Sequence, residues 1–359
     1  MTKQRVVKAA LLGATGAVGQ RYINMLPEHP YLQLEVLMGG ESAGKKYGDA
    51  ANWLFADAMD REMAEKVVRP AMVESAKECD IVFSALPTEV ANEVETKFAE
   101  AGFMVVSEAS VHRMDSDVPL MIPEINAEHL KLMEAQRKKR GWKGNGGIVT
   151  TPNCTATGLA MVLKPLIDDF GAKKAIVTTM QALSGAGFPG VPSLSIAENV
   201  IPYIKNEEEK VALEAKKILG TFSNGHINQS PLAMGISCNR VAVIDGHLET
   251  LYAEFSKEIT PLEAKKSLEA FRGEPQRLKL PTAPEQPILV RKEDDRPQPR
   301  LDRMSGSVPG MSVVVGRIRN GIDARSLQLT LLSHNTIRGA AGTAILTAEL
   351  MASKGYLEK

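Results

Sequence analysis

The sequence predicts an α/β protein, with a doubly wound parallel sheet in its N-terminal part and a second domain of α+β type after it. Three observations carry this. Up to about residue 150, short apolar runs alternate with helical patterns, as in a parallel sheet covered on both faces. Beyond that point the runs become longer and more strictly alternating, which fits an antiparallel or mixed sheet. The chain is also 359 residues long, enough for two domains at roughly 100–200 residues each. The expected division is residues 1–152, completed by 335–359, for the first domain and 153–334 for the second.

The first strand is the apolar run Val6 to Leu12, which stops at Gly13. Val18, Tyr22, Met25 and Leu26 then recur at helical spacing, and this helix should end before Pro27. Leu32 to Met38 reads as the second strand, so strand, glycine turn, helix and strand fall within about 30 residues, the size of one βαβ unit. Asp80 to Leu86, Met104 to Ser107 and Gly147 to Thr150 read as further strands of the same sheet. The basic, glycine-rich stretch Arg137 to Gly147 reads as a loop near the domain boundary. Gly158 to Ile167 is an apolar helical run. Strands of the second sheet are expected at Ala175–Gln181, Arg240–Ile244, Leu251–Phe255, Ser312–Ile318 and Leu327–Leu332. Pro281 to Pro309, rich in proline and charge, reads as an irregular segment outside the core, either functional or an inter-subunit arm. The alanine-rich helix from Arg338 to Lys354 is expected to pack closely.

Composition narrows the function classes. Apolar residues make up 44% and charged residues 24%, so the chain can bury a core and is not a disordered one. Lys plus Arg equals Asp plus Glu at 43 each, so no net field favours nucleic acid or an anionic membrane. A small anionic substrate would have to be held by a few placed cations. The three cysteines, Cys79, Cys154 and Cys238, are far apart with no CxxC pair, which argues against a disulfide framework or a metal site and for a reducing cytosol. The N-terminal run enters a glycine turn too soon for a signal peptide, and no apolar run approaches a membrane span.

The glycine turn is the first motif with chemistry. Gly13-Ala14-Thr15-Gly16-Ala17-Val18-Gly19 follows a strand and opens a helix, a GxxGxxG variant of the dinucleotide fingerprint, so the first domain is of Rossmann type. Gly13 permits the tight turn, Gly16 lets a phosphate approach the backbone, and Gly19 lets the helix pack on the sheet. The helix start then offers N–H groups to a pyrophosphate. After the second strand, Glu41 suits the ribose 2′-OH of NAD, whereas Ser42 and Lys45 suit the 2′-phosphate of NADP. Both signals are present.

Thr150-Thr151-Pro152-Asn153-Cys154-Thr155 ends a strand and precedes a helical run, which places Cys154 in the first turn of a helix. There the helix dipole favours a thiolate, and the backbone N–H can donate to an oxyanion. Cys79 and Cys238 sit in or beside likely core strands and read as structural. Of the six histidines, His247 is the best partner for a cysteine nucleophile. It and Arg240 are read as bracketing one short strand, which brings a cation and a titratable imidazole on one segment. His29, His129 and His226 read as structural or surface residues; His112 and His334 neighbour residues of interest.

In order along the chain stand GATGAVG, ASVHRM at 109–114, TTPNCT at 150–155, MQALSGAG at 180–187, LEAKKIL at 213–219, NRVAVIDGH at 239–247, RPQPRLDR at 296–303 and HNTIRGAAG at 334–342. Together they resemble the aspartate-β-semialdehyde dehydrogenases, especially the archaeal and fungal branch, nearly end to end. The resemblance implies an NADP-dependent, phosphorylating oxidoreductase of lysine, threonine and methionine biosynthesis, with NAD use possible at Glu41. It makes the second domain the catalytic and dimerisation domain of a cytoplasmic homodimer or homotetramer. It implies Cys154 as nucleophile, His247 as acid/base and Gln181 as the amide that orients the intermediate. Arg240 would grip the substrate α-carboxylate and Glu214 its ammonium, with Lys217, Arg113 and Asn153 at the phosphate. Without the resemblance, Glu214 and Lys217 would read as a surface ion pair on one helix face. Gly13, Thr15, Gly16, Ala17, Val18, Gly19, Ser42, Lys45, Ser84, Ser184, Gly185 and Asn335 are implied cofactor contacts. The family's usual Asn after GAAG is here Thr343.

Two rival readings bracket this one. An archaeal malonyl-CoA reductase would share the cysteine, arginine and histidine but have no use for an ammonium acceptor at Glu214. An inactive NADP-binding sensor would not need Cys154, Gln181, Arg240 and His247 together.

Overall fold

The computed structural model describes residues 5–142 and 144–358, so the first four residues, Lys143 of the expected basic loop and Lys359 of the expected 335–359 segment lie outside the described residues. The chain forms two compact units. One takes the chain up to Leu120, Glu128–Thr151 and the chain from Ala344; the other takes Met121–Ala127 and Pro152–Thr343.

The first unit is built on six parallel strands: β1 (Val7–Leu12), β2 (Leu32–Gly39), β3 (Arg69–Pro70), β4 (Ile81–Ser84), β5 (Met104–Ser107) and β6 (Gly147–Thr150). Their order is β3-β2-β1-β4-β5-β6, with every neighbour pair parallel. Every residue of β4, β5 and β6 is buried, which is why these strands are continuous apolar runs. Against one face Phe98 and Ala99 of the helix Thr88–Glu100 pack with Val82, Val105 and Ile148 of the sheet. The strand order reverses direction at β1 and β4, and the C-terminal ends of such strands are where ligands of doubly wound sheets bind.

The second unit carries β7 (Ala172–Gln181), a small hairpin of β8 (Thr221–Ser223) and β9 (His226–Asn228), then β10 (Ala233–Arg240), β11 (His247–Phe255), β12 (Ile288–Val290), β13 (Val313–Asn320) and β14 (Ser326–Ser333). Its main sheet is mixed, in the order β10-β7-β11-β14-β13-β12. β7 runs parallel to β10 and antiparallel to β11. The helix Cys154–Phe170 is buried over most of its length, from Thr155 to Leu163 without a break. That accounts for its lack of a polar face.

Three expectations are corrected. The run at 240–244 is not a strand: Arg240 ends β10, His247 begins β11, and the two bracket a loop. Val241, Val243 and Ile244 make single backbone bonds to Gln181, Leu183 and Ser184, too few for a ladder, and the Asp245-Gly246 turn has a left-handed glycine at φ 102°. The stretch from Arg137 to Arg140 is helical, because the helix Leu132–Arg140 runs on until Gly141 ends it in the left-handed region. The proline-rich segment does reach the core: β12 pairs with β13 and buries Ile288. Being the edge strand, it tolerates the missing N–H of the adjacent Pro287.

Candidate active site

In the first unit the glycine turn lies between β1 and the helix Ala17–Met25. Gly13 sits at φ 73°, and a Cβ there would lie 2.6 Å from the carbonyl oxygen of Ala85, so only glycine lets β1 and β4 close up at this point. Gly19 packs against the backbone of Gly13 and Ala14 with no room for a side chain. Gly16 precedes the helix and no side chain caps it. Thr15, Ala17 and Val18 are half-buried around it. The loop after β2 is tied down by Gly44 N–H donating to Val68 and Val68 N–H to Lys45; Glu41 and Lys45 are exposed and Ser42 half-buried.

Ser84 differs from these. It is fully buried, and its hydroxyl donates to Glu95, as does that of Ser107. Burial pushes the Glu95 carboxyl up to about 7 against the opposing pull of those two hydroxyls. Arg113 is buried and donates to the carbonyl of Glu108, whose carboxyl accepts from Tyr22 and Thr151.

The second unit holds the nucleophile candidate. Asn153 caps the helix that begins at Cys154, its Oδ1 accepting from the N–H groups of Thr155 and Ala156. Two acids of the helix Glu207–Ile218 hold this cap in turn. Glu214 accepts from Asn153 N–H at 2.6 Å and Glu207 from Asn153 Nδ2 at 2.9 Å. Glu214 and Lys217 are 2% and 3% exposed, so they are not a surface ion pair. On the other side Gly339 touches the nucleophile: a Cβ there would lie 2.6 Å from the Cys154 Cβ. Cys154 itself is half-buried, while Cys79 and Cys238 are buried and burial pushes both thiols up to about 12.

The sheet presents the partners along one edge. β7 lies between β10 and β11, Gln181 lies opposite Arg240 in register, and His247 begins β11, antiparallel to β7. Cys154 Sγ and His247 Nε2 are 3.1 Å apart. The peptide of Ala182 ties the imidazole and the guanidinium together: its N–H donates to His247 Nδ1 at 3.0 Å, and its carbonyl accepts from Arg240 Nη1 at 2.6 Å. A Cβ on Gly185 would lie 2.9 Å from Arg240 Nη1 and 3.2 Å from His247 Nε2, so the glycine lets its loop lie over both. Burial first, then the Arg240 charge and then His334, push the His247 imidazolium down to about 3. Gln181 is buried, and its Nε2 has no hydrogen-bond partner among the described residues. Asn335 accepts from Gly246 N–H and donates to Ser184, tying the loop before His247 to the loop after β7.

Sequence reasoning missed three residues here. Glu207 and Gly339 hold the nucleophile turn, and Glu249, two residues past His247 on β11, is buried with neither carboxylate oxygen hydrogen-bonded among the described residues. The signals were thin: Glu207 is seven residues before Glu214, so on the same helix face, and Gly339 is one glycine of a glycine-rich motif.

Known proteins resemble the chain over nearly its whole length. Residues 8–133 match the semialdehyde dehydrogenase NAD binding domain, and 163–338 the semialdehyde dehydrogenase dimerisation domain. An aspartate-semialdehyde dehydrogenase of Archaeoglobus fulgidus is 52% identical over 95% of this chain and 96% of its own. A malonyl CoA reductase (NADP) of Metallosphaera sedula is 44% identical over 99% of both chains. The crystal structure of aspartate semialdehyde dehydrogenase with NADP from Candida albicans superposes with a TM-score of 0.89 at 40% identity, over 98% of this chain and 99% of that one. With two family domains in sequence and full-length relatives at this identity, the chain belongs to the aspartate-semialdehyde dehydrogenase family.

Proposed function

We propose that this chain interconverts aspartyl-β-phosphate and aspartate-β-semialdehyde with release or uptake of phosphate, through a thioester on Cys154. The observation that carries it is the 3.1 Å contact of Cys154 Sγ with His247 Nε2 beside Arg240. In the reductive direction the Cys154 thiolate attacks the acyl carbon and phosphate leaves. NADPH, when bound, supplies the hydride. The glycine turn fits that cofactor: Gly13 and Gly19 leave no room for a side chain, and the helix start, which no side chain caps, would offer N–H groups to a pyrophosphate. Ser42 and Lys45 would take the 2′-phosphate, with Glu41 opposing them so that NAD remains a substrate. The Asn153 cap fixes the rotamer space of the nucleophile, and Cys154 N–H is a donor for the oxyanion at the acyl oxygen. Arg240 provides a buried guanidinium, held by the Ala182 carbonyl, that suits the substrate α-carboxylate. Gln181 Nε2 is a second donor for the intermediate. Lys217 and Asn153 of the second unit are the proposed phosphate contacts. The dimerisation domain supports a homodimer or a homotetramer built from dimers.

The malonyl-CoA reductase relative gives the second reading weight. Glu214, the residue meant to separate the two substrates, already uses one oxygen on the Asn153 backbone. The ammonium acceptor can instead be shared with Glu207, whose charge acts on Arg240. Following NADPH absorbance decides the matter. Aldehyde, phosphate and NADP should react, and turnover should stop without phosphate. Faster oxidation of NADPH with malonyl-CoA than with aspartyl phosphate would overturn the assignment.

A further inference from the structure

The turn behind the nucleophile is wider than an ordinary helical turn. Ile337–Ala341 forms a π turn, closed by Gly342 N–H donating to the Ile337 carbonyl five residues back. Such turns are rare and are frequent at functional sites. This one lies against the reactive cysteine. A Cβ on Gly339 would stand 2.6 Å from Cys154 Cβ, 2.8 Å from its Cα and 3.2 Å from its carbonyl oxygen. A slide of the turn toward the helix therefore has to push the nucleophile, and a slide away leaves it unsupported.

The side chain next to Gly339 sets where the turn sits. Arg338 is fully buried. Its Nη1 and Nη2 donate to the two oxygens of Glu124 at 2.7 and 2.8 Å, and Nη2 also meets Met161 Sδ at 3.1 Å. Met161 comes seven residues after Cys154, so it lies on the same face of the helix Cys154–Phe170, two turns on. The π turn thus meets that helix twice, at Cys154 through Gly339 and at Met161 through Arg338. Its backbone is braced as well. Thr343 donates its hydroxyl to the Arg338 carbonyl at 2.5 Å, and Gly339 N–H donates to the His334 carbonyl at 2.9 Å.

A buried ion pair is a poor source of stability, because the desolvation of both charges offsets most of their attraction. What it supplies is direction, since a planar guanidinium on a carboxylate accepts one geometry that two apolar side chains would not impose. We propose that Arg338 is a positioning residue for the Cys154 reaction: its fork on Glu124 fixes the π turn, and the turn, through Gly339, holds the sulfur at its contact with His247 Nε2. Arg338 acts through Gly339 and not on the substrate, because its guanidinium is buried and turned toward Glu124 and Met161. The proposal rests on the covalent reading above and adds to it the element that places the thiol.

The test separates placement from stability. Glu124→Leu with Arg338→Leu removes both charges, so that neither is left alone in the interior. Thr343→Val removes only the brace on the Arg338 carbonyl, and Arg338→Lys keeps the charge without the fork. Circular dichroism gives the folded fraction of each, and rates are compared per folded chain. The NADPH assay gives kcat and KM. Iodoacetamide alkylation of the cofactor-free chain, located at Cys154 by peptide mass spectrometry, reads the thiol without turnover. We expect the double variant to lose about 10²-fold in kcat, the effect of roughly an ångström of misplacement, with little change in the KM for NADPH. Its alkylation at neutral pH should slow about tenfold, because thiolate character depends on the helix start and the His247 contact. Arg338→Lys and Thr343→Val should show smaller losses of the same kind. A folded double variant with kcat and alkylation at parental rates makes Arg338 a stability element only and overturns the proposal. Should the double variant not fold, parental rates in both Arg338→Lys and Thr343→Val overturn it equally. The covalent reading fails separately, if Cys154→Ser still turns over while the alkylation results stand.

Discussion

The side chains around Cys154 show how a helix start becomes reactive. The thiol occupies the first helical position, the cap below it is clamped by two acids, and Gly339 leaves no slack beside the Cβ. Each contact restricts position, and positioning of a nucleophile by even an ångström is worth orders of magnitude in rate. The other two thiols lack all of this and are held protonated by burial. Cys154→Ser is therefore expected to fold like the parent and lose at least about 10³-fold in turnover, because an alcohol is far less acidic than a thiol. Cys79→Ser and Cys238→Ser should keep turnover in whatever fraction stays folded. Circular dichroism and the NADPH assay on the three variants check this, and a Cys154→Ser enzyme within about tenfold of the parent would rule out the covalent route.

Among the secondary elements, the C-terminal ends of β4 and β5 carry an unusual load. Ser84 and Ser107 both donate to one oxygen of Glu95, and the other oxygen lies 4.0 Å from His112 Nε2. A carboxyl pushed up to about 7 in the folded chain, against 4.5 as its ordinary value, has a definite linkage sign. Below pH 4.5 it is protonated in both states. Between there and pH 7 the unfolded chain gives up a proton that the folded chain keeps, so stability falls as pH rises through that window. The full effect is on the order of 3 kcal/mol at pH values above it. Glu95→Gln keeps an acceptor for both serines and removes the titration. It should raise the thermal midpoint relative to the parent at about pH 8 and have little effect at about pH 5, the difference reaching roughly 1–3 kcal/mol. An offset equal at both pH values would mean that Glu95 is not held protonated by its burial.

At the level of the whole chain, the second unit is tied together by one buried ion pair. Arg338 donates two bonds to Glu124, 214 positions earlier, and both side chains are fully buried. Glu124 lies in the short segment Met121–Ala127 that this unit takes from between two pieces of the other. A charge left alone in such a place is costly, about 3–5 kcal/mol for a broken buried pair, whereas replacing both charges by apolar groups is often neutral. Arg338→Leu should lower the thermal midpoint strongly, and Glu124→Leu with Arg338→Leu should recover at least half of the loss. A double variant no more stable than the single one would show that the pair contributes beyond its own charge balance.

How much of this was legible in the amino-acid order follows from the range of each interaction. The parallel strands, the glycine turn and the helix that begins at Cys154 are set by spacing within a few residues, and period and turn chemistry are local. The sequence therefore determined the fold class and the family. It misread Arg240–Ile244 as one strand because β-branched residues favour extended backbone, while the pairing partner that makes a strand lies elsewhere in the chain. Only the tertiary structure decided which groups meet. Cys154 and His247 are 93 positions apart, Ala182 and His247 65, and Asn153 and Glu214 61. Glu214 read as a surface partner of Lys217 because helix spacing says which residues share a face, not whether that face is covered. The state of the His247 ring was equally out of reach. It depends first on burial and then on the Arg240 charge, and burial and charge contacts over such separations are properties of the folded chain alone.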